Sequence, residues 1–176
     1  WTDSAEGFGR NLRELIIPDS ITTIEEGAFE NCTSLKSITI PSGITKIEKS
    51  LFKGCTSLCT INVAENNPSY CSVNGVVFDK DKTKLILYPQ GLQGAYEIPD
   101  SVTTIENSAF SGCSKLSDIT IPNSIKSIEK FSFANCDALS SIIIPNSVTT
   151  IEEGTFENCT SLKSITIPNG IVSIKN

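Results

Sequence analysis

Histidine and methionine are both absent from this chain of 176 residues. Without histidine there is no imidazole general base, no Ser–His or Cys–His nucleophile pair and no histidine ligand for a metal. A catalytic cysteine would need some other group to activate its thiol. The sequence therefore predicts a protein that is not an enzyme, and we assign no catalytic residue, metal ligand or cofactor.

Basic residues are also few, since 14 Lys and Arg stand against 20 Asp and Glu and the formal net charge is −6. Nucleic-acid binding depends on a basic surface, so we expect no nucleic acid among the partners. No apolar run approaches the roughly 18 residues of a membrane-spanning helix, and the N-terminus lacks the residue order of a signal peptide. We therefore expect no membrane insertion by this segment.

What the chain has instead is a repeat with a period of 23 residues. The segment ITTIEEGAFENCTSLKSITIP at 21–41 returns almost unchanged at 148–168. A short period with fixed apolar positions is typical of a solenoid, in which each unit is stable only against its neighbours. The period is clearest in a leucine column formed by Leu12, Leu35, Leu58, Leu116, Leu139 and Leu162.

Each unit has the pattern L-x-x-I-x-I-P-x-x-I-x-x-I-E-x-x-x-F-x-x-C-x-x. The I-x-I pair predicts a short strand with both isoleucines pointing inward, and the proline ends that strand because it removes a ladder donor. The Phe and Cys columns then close the coil, and stacked units form a parallel sheet. We predict about seven such units over residues 12–176, preceded by a degenerate repeat or cap at 1–11.

Both ends of the chain favour a piece of a longer precursor. The first residue is not Met, and the sequence stops within a unit, at GIVSIKN. An uncapped solenoid end exposes apolar surface. We therefore expect further repeats or a cap beyond Asn176, and other domains in the precursor.

The side chains that alternate with the inward isoleucines point outward and cover one face of the sheet, which we call the strand face. In a curved solenoid this is normally the concave face, where extended ligands dock. Small hydroxyl groups offer hydrogen bonds there, although β-branched Thr is also favoured by strand propensity alone. The predicted partner-binding residues are Glu14, Ile16, Ser37, Thr39, Thr60, Asn62, Glu97, Asp118, Thr120, Ser141, Ile143, Ser164 and Thr166.

The period breaks once, because Leu58 and Leu116 are separated by two periods and a further 12 residues. Asn-Gly at 74–75, between two valines, is a strong hairpin signal, and 79–83 predicts a second turn. We predict a small β-meander at about 64–89 that protrudes from the coil, with Tyr70, Phe78 and Tyr88 on its inner face. It is either a packed local hairpin or a protrusion that binds a partner.

Cysteines fall into two groups. Cys59 and Cys71 flank the start of the insert and are a candidate disulfide. With Cys55 they offer at most three zinc ligands, which disfavours a metal site. The other group lies at repeat spacing and is predicted to be buried thiols that pack as small apolar residues: Cys32, Cys55, Cys113, Cys136 and Cys159.

Three polar patterns have two interpretations each. Asp79-x-Asp81-x-Thr83 resembles the start of a calcium loop, but the later ligand positions do not match, so a turn is favoured. Asn31 and Asn158 precede Cys-Thr and match the N-glycosylation pattern, within a repeated turn. A third pattern is either a solvated edge or an acidic strip that meets a basic partner: the glutamate column Glu25, Glu48, Glu106, Glu129 and Glu152.

The run LKSITIPSGITKIEKSLFKGCTSL at 35–58 resembles the BspA-like class of leucine-rich repeats, which is common in bacterial surface proteins. The resemblance covers about residues 12–176. It implies a right-handed leucine-rich-repeat superhelix, with a parallel β-sheet on its concave face and little regular helix. A bacterial source would make the glycosylation pattern incidental.

The same resemblance implies a cell-surface or secreted protein that adheres to a protein or extracellular-matrix ligand. The alternative is a structural spacer or stalk, because near-identical repeats lengthen a rod without defining a site.

Overall fold

The computed structural model describes residues 9–48 and 50–175, so most of the predicted cap at 1–11 lies outside the described residues, as do Lys49 and Asn176. Over the described part the chain winds into a β-solenoid of seven turns, and that part contains no helix, hence none that could cross a membrane. The predicted repeat solenoid with parallel strands is confirmed. The strands, numbered in chain order, are β1 (Glu14–Ile16), β2 (Ser37–Ile40), β3 (Thr60–Val63), β4 (Tyr70–Val73), β5 (Val76–Asp79), β6 (Lys84–Leu87), β7 (Gly94–Glu97), β8 (Thr104–Ile105), β9 (Leu116–Thr120), β10 (Ser127–Ile128), β11 (Ser141–Ile143), β12 (Thr150–Ile151), β13 (Ser164–Thr166) and β14 (Ser173–Ile174).

Seven of these strands, one per turn, carry the I-x-I positions or their equivalents. Strands β1, β2 and β3 pair in parallel, with Leu15, Ile38 and Ile61 side by side. Strand β7 pairs with β9, β11 pairs with β13, and β11 lies beside β9. The in-register pairing places equivalent residues of successive turns in rows, as the period predicts.

Aromatic and cysteine columns fill the interior of the coil. The rings of Phe110 and Phe133 stack with centroids 5.0 Å apart. The thiol of Cys136 donates to the carbonyl oxygen of Phe110 in the preceding turn at 3.3 Å, and Cys55 makes the same bond to Phe29 at 3.0 Å. Cysteine therefore packs as a small apolar residue and also pairs a buried carbonyl, which alanine could not do.

A left-handed backbone position just before the Cys column explains the alternation of Asn and Gly there. Asn31 has φ of 60° and Asn158 has φ of 55°, while Gly54 and Gly112 take the same position at 78° and 76°. Only Gly and, at lower frequency, Asn adopt this region readily. Backbone geometry thus accounts for both asparagines of the glycosylation pattern.

The insert departs from the predicted protrusion. Strand β5 pairs antiparallel with β4 and β6, and β6 pairs in parallel with β8, so the insert forms part of the solenoid wall. Val77 packs into the N-terminal core, whereas Val76 and Phe78 pack into a separate C-terminal core. The predicted protrusion is wrong, because strand β5 is apolar on both faces and lies between two cores.

The inner face of the meander is apolar, as predicted. Phe78 and Tyr88 are buried, and the half-buried Tyr70 packs against the N-terminal core. The hydroxyl oxygen of Tyr70 accepts a hydrogen bond from the amide of Ile47 at 3.3 Å. The meander therefore contacts the turn before it through both apolar and polar groups.

One glycine column supports a matched stability prediction. Gly154 has φ of 63°, and a Cβ placed there would lie 2.2 Å from the ring carbons of Phe131; Gly27 has φ of 71°, and a Cβ there would make only ordinary van der Waals contact with Glu30, at 3.5 Å. We expect Gly27→Ala to lower the free energy of unfolding by about 1 kcal/mol through backbone strain alone. Gly154→Ala should lower it by a further 1 to 3 kcal/mol or so, because the Phe131 ring must move. Urea unfolding of both variants checks this, and equal losses would refute the clash.

Candidate functional site

The predicted partner-binding residues all lie on the seven strands of the strand face. They are exposed, apart from Ser37 and Thr60, which are half-buried. Two of them are large apolar side chains in open solvent, Ile16 at 78% and Ile143 at 68% exposure. Isolated exposed isoleucine on an otherwise hydroxyl-rich sheet is the clearest apolar feature of this face.

The strand face is interrupted between β3 and β7. The hairpin turn that joins β4 to β5 contacts β3, where the amide of Ile61 donates to the carbonyl oxygen of Gly75 at 3.0 Å. The face therefore has a first patch on β1–β3 and a second patch on β7, β9, β11 and β13. The sequence predicts the Asn74-Gly75 turn but carries no signal for where the turn docks.

Side chains align in rows within each patch. In the first patch one row is Glu14, Ser37 and Thr60, and the next is Ile16, Thr39 and Asn62. In the second patch Ala95 pairs with Asp118 and Glu97 with Thr120, while Ser141 pairs with Ser164 and Ile143 with Thr166. Each patch thus combines hydroxyl groups with one exposed isoleucine and at least one carboxylate.

The carboxylates of the second patch are free to meet a cation. Glu97 and Asp118 are exposed on neighbouring strands. Among the described residues neither takes part in an ion pair, and Asp118 accepts only the amide of Ile119, at 2.9 Å. A ligand that places a basic group beside an apolar one would therefore find complementary groups here.

The glutamate column is largely matched by lysines, which favours the solvated edge over an acidic strip. Exposed pairs of this kind contribute little to stability, because water and salt screen them. Glu129 accepts the hydroxyl of Ser127. The ion pairs are Glu48 with Lys46 at 2.6 Å, Glu106 with Lys84 at 3.2 Å and Glu152 with Lys175 at 2.7 Å.

The sequence pattern at Asp79 that resembles a calcium loop forms a structural turn. The described residues include no group of three or more His, Cys, Asp or Glu placed to hold a metal ion. The carboxylate of Asp79 accepts the amide of Thr83 at 2.7 Å, its hydroxyl at 2.7 Å and the amide of Lys84 at 2.8 Å. Asp79 therefore closes the turn between β5 and β6, and the predicted turn is confirmed.

The candidate disulfide is not formed, since Cys59 and Cys71 are free thiols. Cys59 donates to the carbonyl oxygen of Ser57 at 3.3 Å, and Cys71 to that of Asp79 at 3.2 Å. We expect intact-mass spectra of the alkylated, unfolded protein to show seven modified cysteines with or without prior reduction. Two additional alkylated groups after reduction would contradict this geometry.

Several buried thiol and phenol groups have raised pKa values, which predicts that the folded protein loses stability at alkaline pH. Burial raises the pKa of Cys55 and of Tyr96 to about 12 each, and burial also raises the pKa of Cys113. In the unfolded state the thiol and the phenol titrate near 9 and 10. Between about pH 9 and 12 the unfolded state therefore binds fewer protons than the folded state. Stability is then complete below about pH 9 and falls as pH rises.

Urea midpoints measured from pH 7 to 11 check this prediction. Cys113→Ala should make the decline above pH 9 shallower, because one raised pKa is removed. Cys59→Ala, which removes an exposed thiol instead of a buried one, is the matched control. A flat profile up to pH 11 in the unmodified protein would be inconsistent with buried, protonated columns.

Comparison with known proteins places the chain in a family. A family model described as the BspA type leucine rich repeat region matches residues 8–92 and 93–176, in 6 copies. The chain belongs to this family. The resemblance noted from the sequence is confirmed, and a comparison with curated proteins finds no match.

Solved structures of bacterial leucine-rich repeat proteins are similar to this BspA-type chain. A leucine rich cell surface protein of Faecalibacterium prausnitzii A2-165 has 31% identity and a TM-score of 0.76 over 94% of this chain and 50% of its own. A leucine-rich repeat protein of Eubacterium ventriosum has 25% identity and a TM-score of 0.69 over 92% and 56%. The pneumococcal vaccine antigen PcpA has 26% identity and a TM-score of 0.68 over 93% and 54%. The chain thus spans about half the length of each.

Proposed function

We propose that this BspA-type chain is a non-enzymatic binding module of a bacterial cell-surface or secreted protein. Its strand face presents two patches to a protein or extracellular-matrix ligand. One observation carries the proposal: Ile16 and Ile143 are 78% and 68% exposed, although their inward neighbours are half-buried beside Ile16 and buried beside Ile143. An apolar side chain in open solvent buries little area in the fold, and its coverage by a partner would be favourable.

Two further observations support the proposal, one for a ligand on the second patch and one for location at the cell surface. The carboxylates of Glu97 and Asp118 are exposed and without an ion pair among the described residues. The similar protein of Faecalibacterium prausnitzii is described as a cell surface protein. A ligand with apolar and basic groups fits this patch best.

Substitution on the strand face tests the proposal. The chain is assayed by biolayer interferometry against immobilised extracellular-matrix proteins, and the variants Ile143→Ser and Glu97→Gln are compared with the unmodified protein. Val172→Ser is the matched control, because Val172 is 83% exposed but does not belong to the strand face. We expect each of the two strand-face variants to bind the ligand about tenfold more weakly, as substitutions at interface hot spots do. The control should leave the affinity unchanged.

The alternative function, a spacer or stalk, predicts a different pattern. A spacer tolerates strand-face substitutions, whereas removal of one 23-residue unit shortens it. Surface location is tested separately, by protease treatment of intact cells that express the full-length protein. Unchanged binding in Ile143→Ser and Glu97→Gln, together with loss of function on unit deletion, would favour the spacer.

A further inference from the structure

Thiols of successive turns lie side by side along the cysteine column. One member of the column, Cys159, is half-buried. The other four members have no exposed surface, namely Cys32, Cys55, Cys113 and Cys136. Of these five thiols, Cys159 is therefore the one that a reagent in solution can reach, and its neighbour in the column is Cys136.

Hydrogen bonds on both sides hold Cys136 and Cys159 in register. The amide of Asn135 donates to the carbonyl oxygen of Glu157 at 2.7 Å, as between parallel strands. The side chains next to the cysteines are paired as well: Asn158 Nδ2 donates to Asn135 Oδ1 at 3.2 Å, and Thr160 Oγ1 donates to Asp137 Oδ1 at 3.1 Å. Equivalent residues of adjacent parallel segments are about 4.8 Å apart. A disulfide spans Cα separations of about 4.4 to 6.8 Å, so this register suits one.

The two thiol groups are also in contact with each other. Cys159 donates to the carbonyl oxygen of Phe133 in the preceding turn at 3.0 Å, and Cys136 makes the equivalent bond to Phe110. In addition, the thiols of Cys136 and Cys159 are in hydrogen-bond contact. When Cys159 loses its proton, the S–H of Cys136 can therefore donate to the thiolate. This bond lowers the pKa of Cys159 and, together with burial, raises the pKa of Cys136.

The pair thus combines two chemical roles. A solvent-accessible thiol with a lowered pKa acts as a nucleophile, and a protonated thiol beside it can resolve the product. Cys59 and Cys71 are placed differently, because their thiols donate to the carbonyl oxygens of Ser57 and Asp79. The geometry therefore favours disulfide chemistry at Cys136 and Cys159.

We propose that Cys136 and Cys159 form a redox-active dithiol, which a low-molecular-weight disulfide converts into a disulfide bond between two turns of the solenoid. The thiolate of Cys159 attacks one sulfur of the reagent, forms a mixed disulfide and releases one thiolate. Cys136 then loses its proton to solvent, attacks the sulfur of Cys159 and releases the second thiolate. Two protein thiols are oxidised by two electrons, and one reagent disulfide is reduced to two thiols.

The dithiol shares no residue with the strand-face binding residues, so it stands or falls independently of the proposed function. In the structure both cysteines are free thiols, which is the reduced state of the pair.

Peptide mapping of the folded chain tests the proposal, with 2-hydroxyethyl disulfide as the probe. The fully reduced protein is incubated with the probe at neutral pH, alkylated in denaturant and cut after glutamate without reduction. Glu152, Glu153 and Glu157 lie between the two cysteines, which therefore fall on separate peptides. We expect a linked pair of peptides that contains Cys136 and Cys159 and is lighter by two hydrogen atoms than the two thiol peptides together.

Other cysteines of the same chain are internal references. Cys32 and Cys55 are neighbours in the column but both are buried, so they should remain thiols and become alkylated. Cys59 is exposed and should carry the probe as a mixed disulfide. A Cys32–Cys55 link in equal yield would show that the reaction proceeds through unfolded protein, and it would overturn the proposal.

Three variants separate the two roles. Cys136→Ala should abolish the link and leave the probe attached to Cys159, whereas Cys159→Ala should leave Cys136 a thiol. Cys55→Ala, a buried cysteine of the same column, is the matched control and should leave the link in place. The mapping of the unmodified protein needs no variant, so it decides the question even if a variant does not fold. An unreacted Cys159 in that protein, or a Cys159 that carries only the probe, would overturn the proposal.

Discussion

Replacing Asn67 with alanine is expected to lower the free energy of unfolding by about 3 to 5 kcal/mol. Asn67 is completely buried and makes four hydrogen bonds. Its Nδ2 donates to the carbonyl oxygens of Pro41 at 2.9 Å and Ile44 at 2.8 Å, and its Oδ1 accepts the amides of Ser69 and Tyr70, both at 2.9 Å. The alanine variant removes a partner from four backbone groups, although the oxygen of Pro41 keeps the amide of Ile44 at 3.3 Å. Each buried group that is left unsatisfied costs about 1 to 3 kcal/mol before relaxation.

The physical role of Asn67 is to join the start of the meander to the turn before it. Equilibrium urea unfolding measures the loss, and Asn62→Ala is the control, because Asn62 is the same residue type exposed on the strand face. The control should change stability by less than about 0.5 kcal/mol. Asn67→Asp should behave like alanine, since a carboxylate would face two carbonyl oxygens. A loss below about 1 kcal/mol in Asn67→Ala would show that the four hydrogen bonds of Asn67 are not formed in solution.

Gly91→Ala is the second large expected effect, with a loss of about 3 kcal/mol. A Cβ at Gly91 would lie 2.5 Å from the carbonyl carbon of Ser57 and 2.7 Å from both the amide nitrogen and the oxygen of Leu58. All three are backbone atoms, so no side chain can rotate to make room. The amide of Gly91 also donates to the oxygen of Leu58 at 2.7 Å, and this contact would be pushed apart.

This contact joins the meander turn to the N-terminal turns, so its loss should weaken the coupling between the two cores. In a solenoid, stability is a sum of unit and neighbour terms. Alkylation pulses at increasing urea should then label Cys32 and Cys55 at a different urea concentration from Cys113 in the variant, whereas in the unmodified protein all three should become labelled together. Gly94→Ala is the control, since Gly94 has φ of 90° but open space around it. Equal losses for the two variants would contradict the close approach at Gly91.

The regular part of the fold could be predicted from the sequence because each column repeats one physical requirement. Ile38 and Ile61 recur with alternating polar residues, which predicts strands, and the repeat spacing predicts that they stack in parallel. Cys55 and Cys136 recur beside aromatic residues, and both are buried as expected. Because each requirement recurs in several units, one atypical residue does not change the predicted structure.

The insert was harder to predict because its residues occur only once. Val76, Val77 and Phe78 are consecutive apolar residues, a signal for a strand buried on both faces, and they form the wall between two cores. Asn67 lies in a stretch that has the composition of an exposed loop, and its burial depends on carbonyl groups in another turn. Contacts between distant segments leave no local pattern.

The candidate site shows the same division. Exposure of Ile16 and Ile143 follows from strand alternation and could be predicted. The interruption of the strand face depends on the contact of Ile61 with Gly75. This contact arises from the extra length of one turn, whose path the period does not define.

A crystal structure of the chain tests the central claim most directly, namely that one enlarged turn carries its meander inside the solenoid and divides the core. We expect Val77 to contact the N-terminal core, which contains Leu58 and Ile61. Val76 and Phe78 should contact the C-terminal core, which contains Leu116. A meander that projects into solvent, with a single continuous core running from Cys55 to Cys113, would contradict it.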